Sequence, residues 1–111
     1  MKVLASNLAL STQRVLLKKM YAVQRWSFTA HLTERLSTRG YTWADVENVI
    51  DNGVLVEWHD ENATDRIVVE VKQPKVRVSL VLDLTTETII TLYVRGNDNL
   101  GRNNKPYLGS D

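Results

Sequence analysis

Two rows of residues in this chain have the types and spacing for acid–base and phosphate chemistry. His31, Arg35 and Arg39 recur at intervals of four. On a helix, such steps fall on one face. An imidazole in a first helical turn, where the helix dipole disfavours positive charge, suits a general base that must be neutral before it acts. The two guanidiniums after it could clamp a phosphate through their forked donors. The ordinary alternative is a solvated helix face with an incidental histidine near its start. The second row is Thr91, Tyr93 and Arg95, at intervals of two. On a strand these share one side, so a hydroxyl, a phenol and a guanidinium would line one sheet surface. Lys72 and Arg77 flank Pro74 and would add positive charge nearby. Such a surface can hold a phosphate and stack a base on Tyr93. The ordinary alternative is the polar outer face of an antiparallel sheet. His59, between Trp58 and Asp60, reads as an exposed strand-end residue with little functional claim.

Other chemistries are excluded by composition. The chain has no cysteine and two histidines, which rules out disulfides, thiolate metal sites and a cysteine nucleophile, and argues against structural zinc. No glycine-rich loop fits a phosphate-binding fingerprint, and no serine sits in a nucleophile elbow. Nothing approaches the run of about 18 apolar residues that a membrane span needs.

The elements that must position these rows can be read from periodicity and punctuation. Leu16, Leu17, Met20 and Val23 recur at helical spacing, with Ser11 or Thr12 as cap and an end near Ala22. Residues 1–10 show no clear period and do not read as a signal peptide. Residues 24–29 (QRWSFT) alternate and suggest a short extended piece. Thr29 precedes a helix stopped by Gly40, with Leu32 and Leu36 as its apolar edge. Thr42 precedes a helix over 43–52, with Thr42 and Asp45 as a capping box and Val46, Val49 and Ile50 as its buried stripe. Four strands follow, over 54–59, 66–72, 76–84 and 88–95, joined by turns at DENATD, Gln73–Lys75 and Thr85–Glu87. Ile67, Val69 and Val71 share a face. So do Val76, Val78, Leu80, Leu82 and Leu84, and so do Ile90, Leu92 and Val94. The expected fold is α+β: N-terminal helices packed on a four-stranded antiparallel sheet. It makes one domain over residues 1–95, with 1–28 as an N-terminal extension and 96–111 as a flexible tail.

The formal net charge of +1 argues, by itself, against a nucleic-acid partner. The charge is sorted along the chain, however. Residues 1–40 carry seven basic side chains and one acidic; residues 41–70 carry eight acidic and one basic; residues 71–111 carry six basic and four acidic. Local potentials of both signs are therefore available on a nearly neutral molecule.

The stretch HLTERLSTRGYTWADVENVIDNG resembles a widespread group of small bacterial and phage domains of unknown function. Their signature is a His-x-x-x-Arg helix, an Arg-Gly turn, a second helix ending in Gly, then a strand meander finishing near Thr-x-Tyr. It maps here onto His31, Arg35, Arg39-Gly40, the helix from Asp45 to Gly53, and Thr91-x-Tyr93. The group looks like part of the barnase–EndoU–colicin–RelE superfamily of metal-independent ribonucleases, and the likeness spans roughly residues 29–95. It implies a RelE-like fold and a cytoplasmic endoribonuclease toxin that leaves a 2′,3′-cyclic phosphate, with neither metal nor cofactor. Metal-free cleavage needs a base for the ribose 2′-hydroxyl, cations for the phosphorane and an acid for the leaving 5′-oxygen. The resemblance assigns His31 as base or acid, and Arg35 and Arg95 as phosphate stabilisers. Thr91 and Tyr93 become positioning or proton-donating groups, and Arg39, Lys72 and Arg77 become RNA-binding residues. The implied partners are RNA (tRNA or mRNA) and a cognate antitoxin, immunity or host protein. The acidic middle block departs from the basic character of many such toxins. Two other readings stay open. One is a non-enzymatic phage or mobile-element module that binds and modulates a host protein. The other is an antitoxin-like partner whose 41–70 block mimics RNA.

Overall fold

A computed structural model describes residues 1–61 and 63–96 of the chain. The tail expected over 96–111 lies, from residue 97 onward, outside the described residues.

The second and third helices form where their punctuation puts them. α2 spans Ala30–Arg39 and α3 spans Trp43–Asn52. The Thr29 hydroxyl accepts from the Leu32 amide at 3.0 Å and donates to the Ile90 carbonyl at 2.6 Å. One side chain thus starts α2 and ties it to the last strand. Gly40 ends α2 at φ 72°, a left-handed conformation that glycine adopts without steric cost. Thr42 and Asp45 bond reciprocally: the Thr42 amide donates to Asp45 Oδ2 at 2.7 Å, and the Asp45 amide donates to Thr42 Oγ1 at 3.3 Å.

α1 spans Leu10–Ala22, beginning before the expected Ser11 or Thr12 cap. Its Ncap is Ala9, with no side-chain cap bond. Instead Gln13 Nε2 donates to the carbonyls of Ala5 and Leu8, at 2.8 and 3.1 Å, pinning the helix start to a 3₁₀ turn over Ala5–Asn7. The buried stripe of Leu16 and Met20 is as the spacing predicts.

The sheet is larger than expected. It has six strands: β1 Lys2–Leu4, β2 Ser27–Phe28, β3 Val54–Glu61, β4 Thr64–Lys72, β5 Val76–Asp83 and β6 Thr88–Gly96. Their order is β1-β3-β4-β5-β6-β2. β3 to β6 are the predicted antiparallel meander. β1 adds antiparallel to β3, with Val3 opposite Trp58, and β2 adds parallel to β6, with Ser27 opposite Thr88. The sheet is therefore mixed, not four-stranded antiparallel. Segments of three and two residues carry no readable period, and their partners are distant in sequence. The DENATD stretch is mostly strand, with Asp60 opposite Asp65 and Glu61 opposite Thr64.

All three helices pack on one side of the meander. Leu16, Met20, Leu32, Leu36, Val46 and Val49 meet Ile67, Val69, Val78, Leu80, Leu82, Leu92 and Val94 in one core. Two irregularities adjust the alternation, between Leu55 and Glu57 and between Val81 and Leu82, where the facing strand skips Ile90. Ile89, not the expected Ile90, is the buried residue at that end of β6.

Gly53, which caps α3, sits tightly between the last turn of the helix and the backbone of β4. A Cβ there would lie 2.3 Å from the Val49 carbonyl oxygen and 3.3 Å from the backbone of Glu70. At Gly40 a Cβ would meet nothing within 4 Å, so only the backbone angle resists substitution. Gly53→Ala is expected to cost about 1–3 kcal/mol through overpacking. Gly40→Ala should cost about 1–2 kcal/mol. Urea unfolding of both variants checks this, and adding a second substitution that enlarges the gap, Val49→Ala, should not rescue Gly53→Ala, because the obstruction is backbone.

Candidate functional site

The core residues of β4, β5 and β6 point to the helices, so their neighbours in sequence point to the opposite face. The pairing register aligns those neighbours in cross-strand rows. Lys72, Arg77 and Arg95 stand directly opposite one another across three strands. The next row is Glu70, Ser79 and Tyr93. Beyond it lie Glu57, Val68, Val81 and Thr91, and then Lys2, His59, Arg66 and Asp83.

The floor of this face is buried, although among the described residues no helix packs on it. Ser79 is 0% exposed and Val68 is 3% exposed. The Ser79 hydroxyl donates to Glu70 Oε2 at 3.1 Å. Arg77 Nη1 lies 3.6 Å from Glu70 Oε1. Arg95 Nη2 donates to the Tyr93 hydroxyl at 3.3 Å, and its guanidinium carbon sits 5.1 Å from the centre of the Tyr93 ring. The phenol oxygen therefore accepts from Arg95 while keeping its own proton to donate. The Nε atoms of Arg77 and Arg95 are both buried with no hydrogen-bond partner. Like charges directly opposite on a sheet repel, and a buried unmatched donor costs about 1–3 kcal/mol. An anion lying along the row would relieve the repulsion among the three cations.

A second cluster lies toward β1. Glu57 is 7% exposed. Its Oε2 lies 2.9 Å from His59 Nε2, and its Oε1 lies 3.3 Å from Lys2 Nζ. Burial pushes the Glu57 carboxyl up, but hydrogen bonds from His59 and Lys2, and their charges, outweigh it and hold the group below its ordinary value of 4.5. Burial pushes the Tyr93 phenol above its ordinary value of 10.0. Arg95 opposes that push, while the charges of Glu57 and Glu70 add to it. The Glu57 charge is thus felt at Tyr93, and the two clusters form one electrostatic site.

Of the residues singled out from sequence, five share this face: Lys72, Arg77, Thr91, Tyr93 and Arg95. The other three do not join them. His31, Arg35 and Arg39 line a groove along α2 with Glu34 and Thr38. There His31 Nε2 accepts from Arg35 Nε at 3.2 Å. α2 belongs to the helix layer, through Leu32 and Leu36, so the sheet stands between the two rows. His59 departs from expectation as well: it is half-buried and bonded to Glu57 rather than an exposed strand end. Glu57, Glu70, Ser79 and Lys2 were not singled out from sequence. The signal for Glu57 was an E-x-H pair at strand spacing, masked by the irregularity after Leu55 that moves Glu57 off the face a regular strand would give it. Among the described residues, no group of three or more His, Asp or Glu is placed to hold a metal ion.

Because the folded state holds Glu57 below its ordinary value, the ionised carboxylate stabilises the fold. That contribution is complete above about pH 4.5 and is lost as pH falls through the folded value. The wild type should therefore lose stability below pH 4.5 more steeply than Glu57→Gln, measured as urea midpoints from pH 3 to 7. Parallel curves would remove the ion-pair cluster from the account.

No family model matches the chain, no curated protein matches it, and no solved structure matches it.

Proposed function

We propose that the protein is a metal-independent endoribonuclease of the barnase–EndoU–colicin–RelE kind, and that its reacting phosphate lies on the open face of the sheet. The observation that carries this reading is the row of Lys72, Arg77 and Arg95 beside the Tyr93 phenol. A phosphodiester is the anion that uses all of these at once: guanidiniums hold its oxygens, and the phenol stacks on a base or donates a proton.

The chemistry follows from the charge states. Glu57, kept ionised by His59 and Lys2, takes the proton from the ribose 2′-hydroxyl. The 2′-oxygen then bonds to phosphorus, and the pentacovalent charge is held by Arg77 and Arg95. The bond to the 5′-oxygen breaks, and that oxygen takes a proton from Tyr93, which burial keeps protonated. A 2′,3′-cyclic phosphate and a 5′-hydroxyl result. Water returns the proton to Tyr93 and removes the one on Glu57. Thr91 positions the ribose from the neighbouring row. This reading moves acid–base work from His31 to the open face and leaves the α2 row as a separate cationic track for RNA. Action in the cytoplasm on tRNA or mRNA belongs to the same proposal. Among the described residues, no helix is long and apolar enough to cross a membrane.

The test is cleavage of an end-labelled RNA oligonucleotide in EDTA, with product ends identified by mass. Wild-type protein should leave 2′,3′-cyclic phosphates. Tyr93→Phe and Arg95→Ala should each lose about 100-fold or more, and His31→Ala should stay near wild type. Loss of activity in His31→Ala with retention in Tyr93→Phe would transfer the site to α2. A folded wild type that neither binds nor cleaves RNA would overturn the function.

A further inference from the structure

The helix layer carries a surface that neither the proposed cleavage site nor the α2 row uses. Trp26, Phe28 and Ile89 on one side, and Trp43, Val46 and Ile50 on the other, line a hollow of about 320 Å³ between β2 and α3. A neighbouring hollow of about 350 Å³ runs on beneath the end of α1, past Met20, Tyr21 and Val23. The two share Trp26, Glu47 and Ile50, so they form one trough along α3. Its apolar wall is open to solvent: Phe28 is 55% exposed, Tyr21 54% and Trp43 42%. The Phe28 and Trp43 rings meet at 4.8 Å between centroids and 59° between planes, so the wall is set before anything binds. Contiguous aromatic surface of this kind marks an interaction site.

The rim says what kind of chain belongs there. Glu47 and Asp51 lie four apart on α3 and both border the trough. Neither makes an ion pair within the described residues. Asp45, the other carboxylate of α3, is occupied by the Thr42 cap. The trough is thus apolar at its floor and anionic along one lip, the reverse of the cationic row on the sheet's other face.

We infer that this trough docks an amphipathic helical segment of another protein, with apolar side chains at i, i+3, i+4 and i+7 and lysine or arginine beside them. The apolar stripe would fill the space along Trp26, Phe28 and Trp43, and the cations would meet Glu47 and Asp51. α3 is ten residues long, about 15 Å, so an occupant of roughly three turns matches it. The inference is independent of the ribonuclease reading, since the trough and the face proposed to hold the reacting phosphate lie on opposite sides of the sheet.

The probe is a synthetic helical peptide with leucine at those four positions and lysine at the flanking ones. Its counterpart carries glutamate in place of lysine. Binding is read by isothermal titration and by shifts of the backbone amides of α3 in NMR. The lysine peptide should bind at least about tenfold tighter than the glutamate peptide, and Trp43→Ala should weaken it about tenfold or more. The Glu47→Lys/Asp51→Lys variant should reverse the preference between the two peptides. This variant changes only exposed side chains, so it tests the lip even if Trp43→Ala loosens the fold. Equal binding of both peptides, or a preference that survives the charge reversal, overturns the inference. So does concentration-dependent dimerisation that Trp43→Ala abolishes, which would make a second copy the occupant. RNA cleavage should be unchanged in the charge-reversal variant, which separates the failure of either proposal from the other.

Discussion

The burial of Ile67, Val69, Val78, Leu80, Leu82, Leu92 and Val94 beneath three helices is what everything else rests on. Each such side chain contributes about 1.5–3 kcal/mol when fully buried. Their common effect is to fix register. Side chains alternate strictly along a strand, so a slip of one residue would carry Lys72, Arg77 and Arg95 into the core and expose the valines and leucines. The alignment of the three cations across β4, β5 and β6 is therefore a consequence of packing on the other side of the sheet. No attraction among the cations is needed to hold them in line, and they stand together against their mutual repulsion.

That arrangement makes the open face an unusual polar surface. Its groups are neither fully solvated nor fully matched. Ser79 is buried between Glu70 and Tyr93 in its cross-strand row, and Glu70 directs one oxygen to Arg77 and the other to Ser79. Glu57 is buried yet ionised, because His59 and Lys2 supply more than its lost hydration. Tyr93 is half-buried, and its lost hydration, with smaller help from the charges of Glu57 and Glu70, keeps the phenol protonated against the opposing pull of Arg95. A carboxylate held as a base and a phenol held as an acid are what opposite environments produce from neighbouring side chains.

Local signals carried much of this fold and part of the site. The bounds of α2 and α3 follow from Thr29, Gly40, Thr42 and Asp45, whose capping bonds lie within one helical turn. The faces of β4 and β5 follow from valine and leucine alternation, and with them the common side of Thr91, Tyr93 and Arg95. What could not be read depends on distance along the chain. Lys2–Leu4 and Ser27–Phe28 become strands because of partners near residues 58 and 88, and nothing inside such short segments announces it. The irregularities after Leu55 and Val81 are likewise set by facing strands, which is why Ile89 replaces Ile90 in the core and why the Glu57–His59 pair went unnoticed. The spacing of His31, Arg35 and Arg39 did make one helical row. Periodicity within α2, however, says nothing about which side of the sheet that row attends.

The two short strands have a further consequence, in the order of assembly. β1 and β2 come from the first quarter of the chain, yet they close the two outer edges of a meander made from the second half. A nascent chain emerging from its N-terminus presents both edge pieces long before there is a sheet to edge. The hairpins β3–β4, β4–β5 and β5–β6 are local and can form among themselves, while the edges wait for loops of more than 50 residues to close. Until then β3 and β6 present bare backbone donors and acceptors, the template on which separate chains pair with one another. The N-terminal segment thus acts late as a seal, and the interval before it docks is when this molecule is most open to aggregation.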